Sequence, residues 1–181
     1  MKNLLLLLLA ITLIGCSSSG NSVAQKRASI EAMHNKVLQD IYAESAAARR
    51  DVASSAGYAV FSNAQVNVIF IAAGGGHGVA KSKGRSTYMK MAEAGIGLGL
   101  GVKDFRVLFV FHTQEAYNNF VDNGWSFGGE ADAAAKAGEN GGQASAGGAL
   151  GDVTIYQLTE SGLALQATLK GTKYWKDDEL N

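Results

Sequence analysis

The N-terminal part of the chain carries apolar residues at helical spacing. Between Val23 and about Ala43 they recur every three or four residues, and most charged side chains fall between them. The apolar stripe consists of Ile30, Met33, Val37, Leu38 and Ile41. This pattern predicts a helix with one buried face. A second short helix, Ala46–Ala53, is predicted to follow with Ser45 as its N-cap, and Gly57 is expected to end the helical region.

After Gly57 the pattern becomes one that is typical of strands, with short runs of β-branched and aromatic residues between turn residues. The predicted strands include Tyr58–Phe61, Asn67–Ala72, Phe105–Phe111, Trp125–Gly129, Val153–Leu158 and Leu163–Lys170. Val79–Lys83 and Ser86–Met91 are predicted to form a hairpin, and Thr113 is predicted to cap a short helix, Gln114–Val121. The predicted fold class is therefore α+β, with N-terminal helices followed by a strongly curled or barrel-like antiparallel sheet of about seven strands.

Glycine is abundant, with 23 residues, and the chain contains no proline. The segment Gly95–Gly101 alternates strictly between glycine and a larger residue. One face of this predicted strand is therefore bare, and we expect it to lie against another backbone or a large ring. A second stretch, Gly74–Gly78, is predicted to be a tight turn between strands. The alternative is that His77 faces a ligand there, beside a nest of backbone N–H donors.

The first residues have the features of a bacterial lipoprotein signal. Lys2 precedes an apolar run, Leu4–Ile14, that is shorter than the roughly 20 residues needed to span a bilayer. The run ends in Leu13-Ile14-Gly15-Cys16, which resembles a lipobox. We predict that residues 1–15 are removed, that Cys16 receives palmitate-type acyl chains, and that residues 16–22 form a flexible tether for a single domain, residues 23–181. The alternative is an ordinary signal peptide with an incidental cysteine.

Ser17 after that cysteine resembles the sorting signal of outer-membrane lipoproteins. We therefore expect the domain to lie in the bacterial cell envelope, anchored to the outer membrane and facing the periplasm. Because 16 acidic residues balance 16 basic ones, no global charge attracts the chain to nucleic acid. The membrane, reached through the anchor on Cys16, is the partner that the sequence indicates, and the oligomeric state stays open.

No catalytic or metal-binding constellation is recognisable in the sequence. The three histidines, His34, His77 and His112, do not have metal-ligand spacing. We expect His34 on the exposed surface of its helix and His112 to be a hydrogen-bonded group at the end of a strand. Glu130 and Asp132 are a candidate cation or acid–base pair, although a solvated face is the favoured interpretation. The prediction is a domain without enzymatic activity, without a cofactor and without a metal.

Several landmarks between about Ser45 and Lys173 occur in an order that resembles the SYLF domain. They are Gly57-Tyr58-Ala59-Val60-Phe61, Gly76-His77-Gly78-Val79, Gly97-Leu98-Gly99-Leu100-Gly101, Thr113-Gln114-Glu115-Ala116, Gly124-Trp125, Gly162-Leu163 and Leu169-Lys170-Gly171-Thr172. The resemblance implies a lipid-binding domain, which in eukaryotic members is directed at phosphoinositides, and no known catalysis. The actin binding of eukaryotic members is not carried over to a bacterial envelope protein.

Four basic residues crowd the predicted hairpin, namely Lys81, Lys83, Arg85 and Lys90. Near a membrane such clusters are attracted to anionic head groups by about 1 kcal/mol per charge, so these residues are the candidate lipid-binding site. The alternative is a solvated strand edge that discourages pairing with another sheet. Tyr174-Trp175-Lys176 is a second candidate contact with the membrane interface, unless it only covers the end of the barrel.

Together these patterns predict a membrane-anchored envelope lipoprotein with a non-catalytic lipid-binding domain. The alternative is a structural or protein-interaction lipoprotein that binds no small ligand. A co-purifying lipid would distinguish the first from the second.

Overall fold

The computed structural model of the protein describes residues 22–68, 71–95, 101–127, 149–159, 162–164 and 172–181. In chain order its elements are α1 (Val23–Glu44), α2 (Ala46–Ser54), β1 (Gly57–Val68), β2 (Ile71–Ser82), β3 (Arg85–Gly95), β4 (Gly101–Phe111), α3 (Gln114–Asn123), β5 (Trp125–Phe127), β6 (Ala149–Leu150), β7 (Val153–Thr159), β8 (Gly162–Ala164) and β9 (Thr172–Lys176). The predicted helices are confirmed. Each begins after a hydroxyl side chain that accepts a backbone N–H, and these N-caps are Ser22, Ser45 and Thr113.

In the part of the chain that the structure describes, the strands form one antiparallel sheet. Their order is β5-β9-β3-β2-β1-β4-β7-β6, and β8 also pairs with β7. The sheet curls into a half-barrel, and the predicted α+β class is confirmed. Seven strands form the curled sheet. The other two of the described strands, β6 and β8, have only two and three residues and pair with β7.

Alternate residues of the strands face two different layers, as the period of a strand requires. On the helix-α1 face, Val60 and Leu108 pack with Ile41 of α1 and Ala48 of α2. On the helix-α3 face, aromatic residues from the strands and from α3 form one cluster, which includes Phe61, Phe109, Phe111, Phe120 and Tyr174. The sheet is therefore the middle layer of three.

One strand prediction and one turn prediction were wrong in the same region. Asn67–Ala72 is not one strand, because Val68 ends β1, Ile71 begins β2, and the two residues pair across a hairpin. Gly74–Gly78 is not a turn, because it lies inside β2 and pairs with both β1 and β3. The neighbouring strands override the turn preference of glycine, and at Gly78 a Cβ atom would lie 2.2 Å from the ring of Phe61.

Some predicted features lie outside the described residues. These are Gly97 and Gly99 of the alternating segment, the acidic pair Glu130 and Asp132, Cys16 and most of the tether. Of the strands predicted at Trp125–Gly129 and Leu163–Lys170, only the parts assigned to β5 and β8 are described. None of the helices seen in the described ranges is long and apolar enough to cross a membrane.

Candidate functional site

The β2–β3 hairpin presents two exposed cations at its turn. Lys83 and Gly84 both have positive φ angles, 50° and 75°, so the chain reverses within these two residues. Lys83 and Arg85 are exposed, and in the described ranges neither forms an ion pair. The predicted hairpin is thus confirmed, and its tip carries a local positive charge.

The other two candidate cations of the hairpin are neutralised. Lys81 Nζ lies 2.6 Å from Glu31 Oε2 of α1, and Lys90 Nζ lies 3.0 Å from Asp177 Oδ1, which follows β9. These acids are far away in sequence, so the hairpin sequence alone gave no sign of them. The four basic residues therefore do not form one free patch, and the candidate surface for anionic lipid narrows to Lys83 and Arg85.

Glu31 connects helix α1 to the hairpin. Besides Lys81 it accepts hydrogen bonds from Ser86 Oγ and Tyr88 Oη, each at 3.3 Å. Burial opposes the charge on Glu31, but the hydrogen bond and the charge of Lys81 outweigh it, so the pKa of Glu31 lies below its ordinary value. The acid is ionised at neutral pH and holds the hairpin beside the first turns of α1.

The expectation that His34 lies on the helix surface was wrong. His34 is 4% exposed and stacks on Tyr58, with ring centroids 5.7 Å apart. Its Nδ1 lies 3.0 Å from Asn35 Oδ1 and its Nε2 lies 3.3 Å from Tyr58 Oη. Burial lowers the pKa of His34, and the charge of Lys81 acts in the same direction, whereas the hydrogen bond with Asn35 opposes them. His34 is therefore an uncharged member of the interface between α1 and the sheet.

His77 is exposed on the helix-α1 face, beside a small cavity. The cavity measures about 200 Å³ and is lined by Ser29, Ile30 and Met33 of α1 and by Ser62 and His77 of the sheet. Neither sequence interpretation of His77 described this position, because both placed it in a turn. The alternation along β2 puts His77 on the same face as Val79, and Val79 packs against Ile30.

The remaining candidates have structural surroundings. His112 Nε2 lies 2.8 Å from Thr154 Oγ1 of the neighbouring strand, as expected for a hydrogen-bonded group. Tyr174 is fully buried in the aromatic cluster, so it makes no contact with a membrane interface. Trp175 points to the other face and is half-buried, with Lys173 Nζ 5.9 Å from the centre of its ring. The described residues contain no group of three or more potential metal ligands.

These observations define the class of the protein as an α+β domain in which N-terminal helices cover a curled antiparallel sheet. The family model described as "Ysc84: Las17-binding protein actin regulator" matches residues 92–181. Beta cell expansion factor A of Aeromonas veronii is 31% identical over 164 residues, which make up 86% of this chain and 59% of that relative. The chain belongs to the Ysc84 or SYLF family, as the sequence landmarks indicated.

The chain spans less than two thirds of the length of this relative. Family membership supports a domain that binds lipid or interacts with another protein.

Proposed function

We propose that this chain is the precursor of a bacterial envelope lipoprotein whose SYLF domain binds anionic lipid without catalysing a reaction. In this proposal the chain is cleaved before Cys16, and the lipidated cysteine anchors the domain to the outer membrane on its periplasmic side. One observation supports lipid binding by the domain. The basic tip of the hairpin, Lys83 and Arg85, lies near the start of helix α1.

Contacts to Glu31 fix that position. Lys81 and Ser86, which stand on the two strands of the hairpin, both bond to Glu31. Glu31 follows Ser22 by nine residues in sequence, which corresponds to about 14 Å along the helix. The proposed tether from Ser17 to Ser22 can extend by up to about 20 Å. The hairpin tip is therefore within reach of a membrane that holds Cys16.

The charges at the tip are suited to a weak attraction toward a surface. Lys83 and Arg85 are exposed, so they can approach anionic head groups without breaking a buried ion pair. At about 1 kcal/mol per charge, the two cations contribute at most about 2 kcal/mol. This is too little for stable membrane binding alone, but a tethered domain needs no more to orient one face toward the lipid.

A protein-interaction role is the second candidate, and two observations favour it. The helix-α3 face is filled by the side chains of the protein itself, with ring centroids of Phe61 and Tyr174 4.8 Å apart and those of Phe109 and Phe120 5.4 Å apart. This aromatic cluster offers no room for a lipid. The matching family model is also named for binding a protein. In this alternative the anchored domain presents its surface to another envelope protein.

Vesicle binding tests the proposal. The mature chain with Cys16→Ser, which has no acyl anchor, should bind vesicles that contain phosphatidylglycerol and should not bind phosphatidylcholine vesicles. Binding should weaken with salt, because exposed charges are screened within about 8 Å at physiological ionic strength. Lys83→Gln combined with Arg85→Gln should weaken binding by up to about thirtyfold, which corresponds to the loss of about 2 kcal/mol.

Arg49→Gln combined with Arg50→Gln is the matched control, since it removes the same number of charges from exposed positions on helix α2. This control should bind vesicles nearly as well as the wild type. Equal binding to neutral and anionic vesicles, or equal losses in the two double variants, would contradict the role of the hairpin. A co-purifying envelope protein together with no vesicle binding would favour the second candidate.

A further inference from the structure

We propose that the groove between helix α1 and strands β1 and β2 is a head-group site for a single anionic phospholipid. The phosphate is held by Ser62 and His77, and the apolar part next to it lies against Ile30 and Met33. The proposal rests on the lipid binding proposed above but uses a different surface from the hairpin tip.

A row of polar side chains crosses the sheet at this groove. The strand register pairs Arg106 with Ser62, Ser62 with His77, His77 with Lys90, and Lys90 with Trp175. Paired residues share a face of the sheet, and neighbouring strands are about 4.8 Å apart. The five residues form a continuous transverse row, with two hydrogen-bonding side chains, Ser62 and His77, between two cations.

The wall above the row comes from helix α1. Ser29, Ile30 and Met33 border the open cavity beside Ser62 and His77, so that two hydroxyl groups and an imidazole lie next to two apolar side chains. Its volume of about 200 Å³ is below the range of roughly 300–1,000 Å³ that is typical of sites enclosing a drug-sized ligand. A head group with the start of its glycerol fits this size, whereas a whole lipid does not.

The floor beside the row is open because Gly75 lies there. Among the described residues, a Cβ atom at Gly75 would meet the Met91 carbonyl oxygen at 3.8 Å, whereas a Cβ atom at Gly78 of the same strand would collide with Phe61. Ala92, which is paired with Gly75, is also small. This shelf of small residues lets a ligand approach the backbone of β2 from the side of α1.

Two cations flank Ser62 and His77. Each is paired with an acid, so they add N–H donors to the row but no net positive charge. Lys90 and Arg106 lie one strand beyond His77 and Ser62, and their side chains are 35% and 40% exposed. Their acidic partners, Asp177 and Asp40, are each already engaged by one of these cations. A guanidinium has five N–H donors and an ammonium has three, so each cation can bond to a phosphate while keeping its acid.

A short-chain lipid that stays monomeric forms no membrane surface. Its binding therefore tests this site apart from the attraction of the domain to a charged surface. The ring signals of His34, His77 and His112 in NMR spectra of the mature Cys16→Ser chain report on three separate places. Monomeric dihexanoyl phosphatidate should shift the His77 signals saturably and leave those of His34 and His112 in place. Inorganic phosphate should bind at least tenfold more weakly, because it cannot contact Ile30 and Met33.

Two variants and one control complete the test. Isothermal titration calorimetry measures binding to the variants, because the double variant lacks the His77 signals. Ser62→Ala combined with His77→Gln should weaken phosphatidate binding by roughly tenfold or more, and Gly75→Leu should block it by filling the shelf. His112→Gln, a change at another exposed histidine, should have no effect, and unshifted His34 signals show that each variant is folded.

The proposal is overturned if the His77 signals do not shift, or if inorganic phosphate binds as tightly as phosphatidate. It also fails if phosphatidate binds the double variant as well as the wild type. Failure of the proposed function would give a different result. The Lys83 and Arg85 variant is expected to lose vesicle binding, whereas its binding of monomeric phosphatidate at His77 should equal that of the wild type.

Discussion

The helix-α1 and helix-α3 faces of the sheet are built from alternate residues of the same strands, yet their chemistry differs. On the helix-α3 face, Phe61, Phe109 and Phe120 are fully buried and contact one another edge-on or tilted. On the helix-α1 face, ion pairs join α1 to the sheet, with Lys81 bonded to Glu31 and Arg106 bonded to Asp40.

The comparison shows where a ligand can bind with little loss of packing energy in the protein. The aromatic face has to lose close ring contacts before it can admit a ligand, and each such pair is worth about 0.5–1.5 kcal/mol beyond its buried area. The helix-α1 face also has a buried apolar cluster around Ile41, but beside it partly exposed donors can exchange water for a ligand without unfolding the core. We therefore propose that the helix-α3 face serves stability alone, whereas the helix-α1 face combines a buried apolar core with a partly exposed region for recognition.

Two glycines of β2 give the sharpest test of this difference, and the largest expected effect. At Gly78 a Cβ atom would lie 2.2 Å from Phe61 Cδ1 and 2.5 Å from the Val60 carbonyl oxygen. Gly78→Ala should therefore lower the free energy of unfolding by about 1–3 kcal/mol through overpacking. In Gly75→Ala, three residues away, the new Cβ atom lies 3.8 Å from the Met91 carbonyl oxygen, the nearest of the described atoms, so this variant serves as the matched control.

Urea denaturation of the two variants measures this prediction. If the two alanine substitutions cost the same, the faces do not differ in packing at these positions, and the proposed groove beside Gly75 loses its open floor.

The pH dependence of stability tests the polar interface and is expected to be the smaller effect. Because burial lowers the pKa of His34 below its ordinary value of 6.5, the unfolded chain takes up a proton at a higher pH than the folded one. Neutral His34 therefore makes its full contribution to the free energy of unfolding above pH 6.5. This contribution is lost as the pH falls from 6.5 to the pKa of His34 in the folded state. The loss is at most about 1.4 kcal/mol per pH unit.

Denaturation curves between pH 7.5 and about pH 5 check this prediction. His34→Gln should remove the slope, whereas His112→Gln, at an exposed position, should keep it. Glu31 has a pKa below its ordinary value of 4.5, so its own stabilising contribution is lost only at pH values below that window. A wild-type stability that stays flat from pH 7.5 to pH 5 would contradict the burial of a neutral imidazole under α1.

Much of the fold could be predicted from local patterns. The stripe from Ile30 to Ile41, the three N-caps and the Lys83-Gly84 turn depend on residues close in sequence, so their signals are complete in the sequence. The burial of His34 could also have been found, because it stands four residues after Ile30 and three before Val37, on the same helical stripe.

The charge pairs and the groove could not be predicted, because they depend on strand order. Lys90 meets Asp177 only because β9 lies beside β3, although these residues are far apart in sequence. Ser62, His77 and Lys90 become neighbours only through the register of three strands. The glycines of Gly74–Gly78 suggested a turn, but the strands on both sides hold this segment in an extended conformation.

The central claim is that the domain acts at a membrane to which Cys16 attaches it, and lipid labelling tests this most directly. Cells that express the full chain are grown with radioactive palmitate, and membranes are separated from the soluble fraction. The wild-type chain should be labelled and sediment with the outer membrane. Cys16→Ser should remain unlabelled and be found unprocessed or soluble, because serine cannot form the thioether, while Ser18→Ala should behave as the wild type. A Cys16→Ser chain that still takes up label and sediments with membranes would contradict the account.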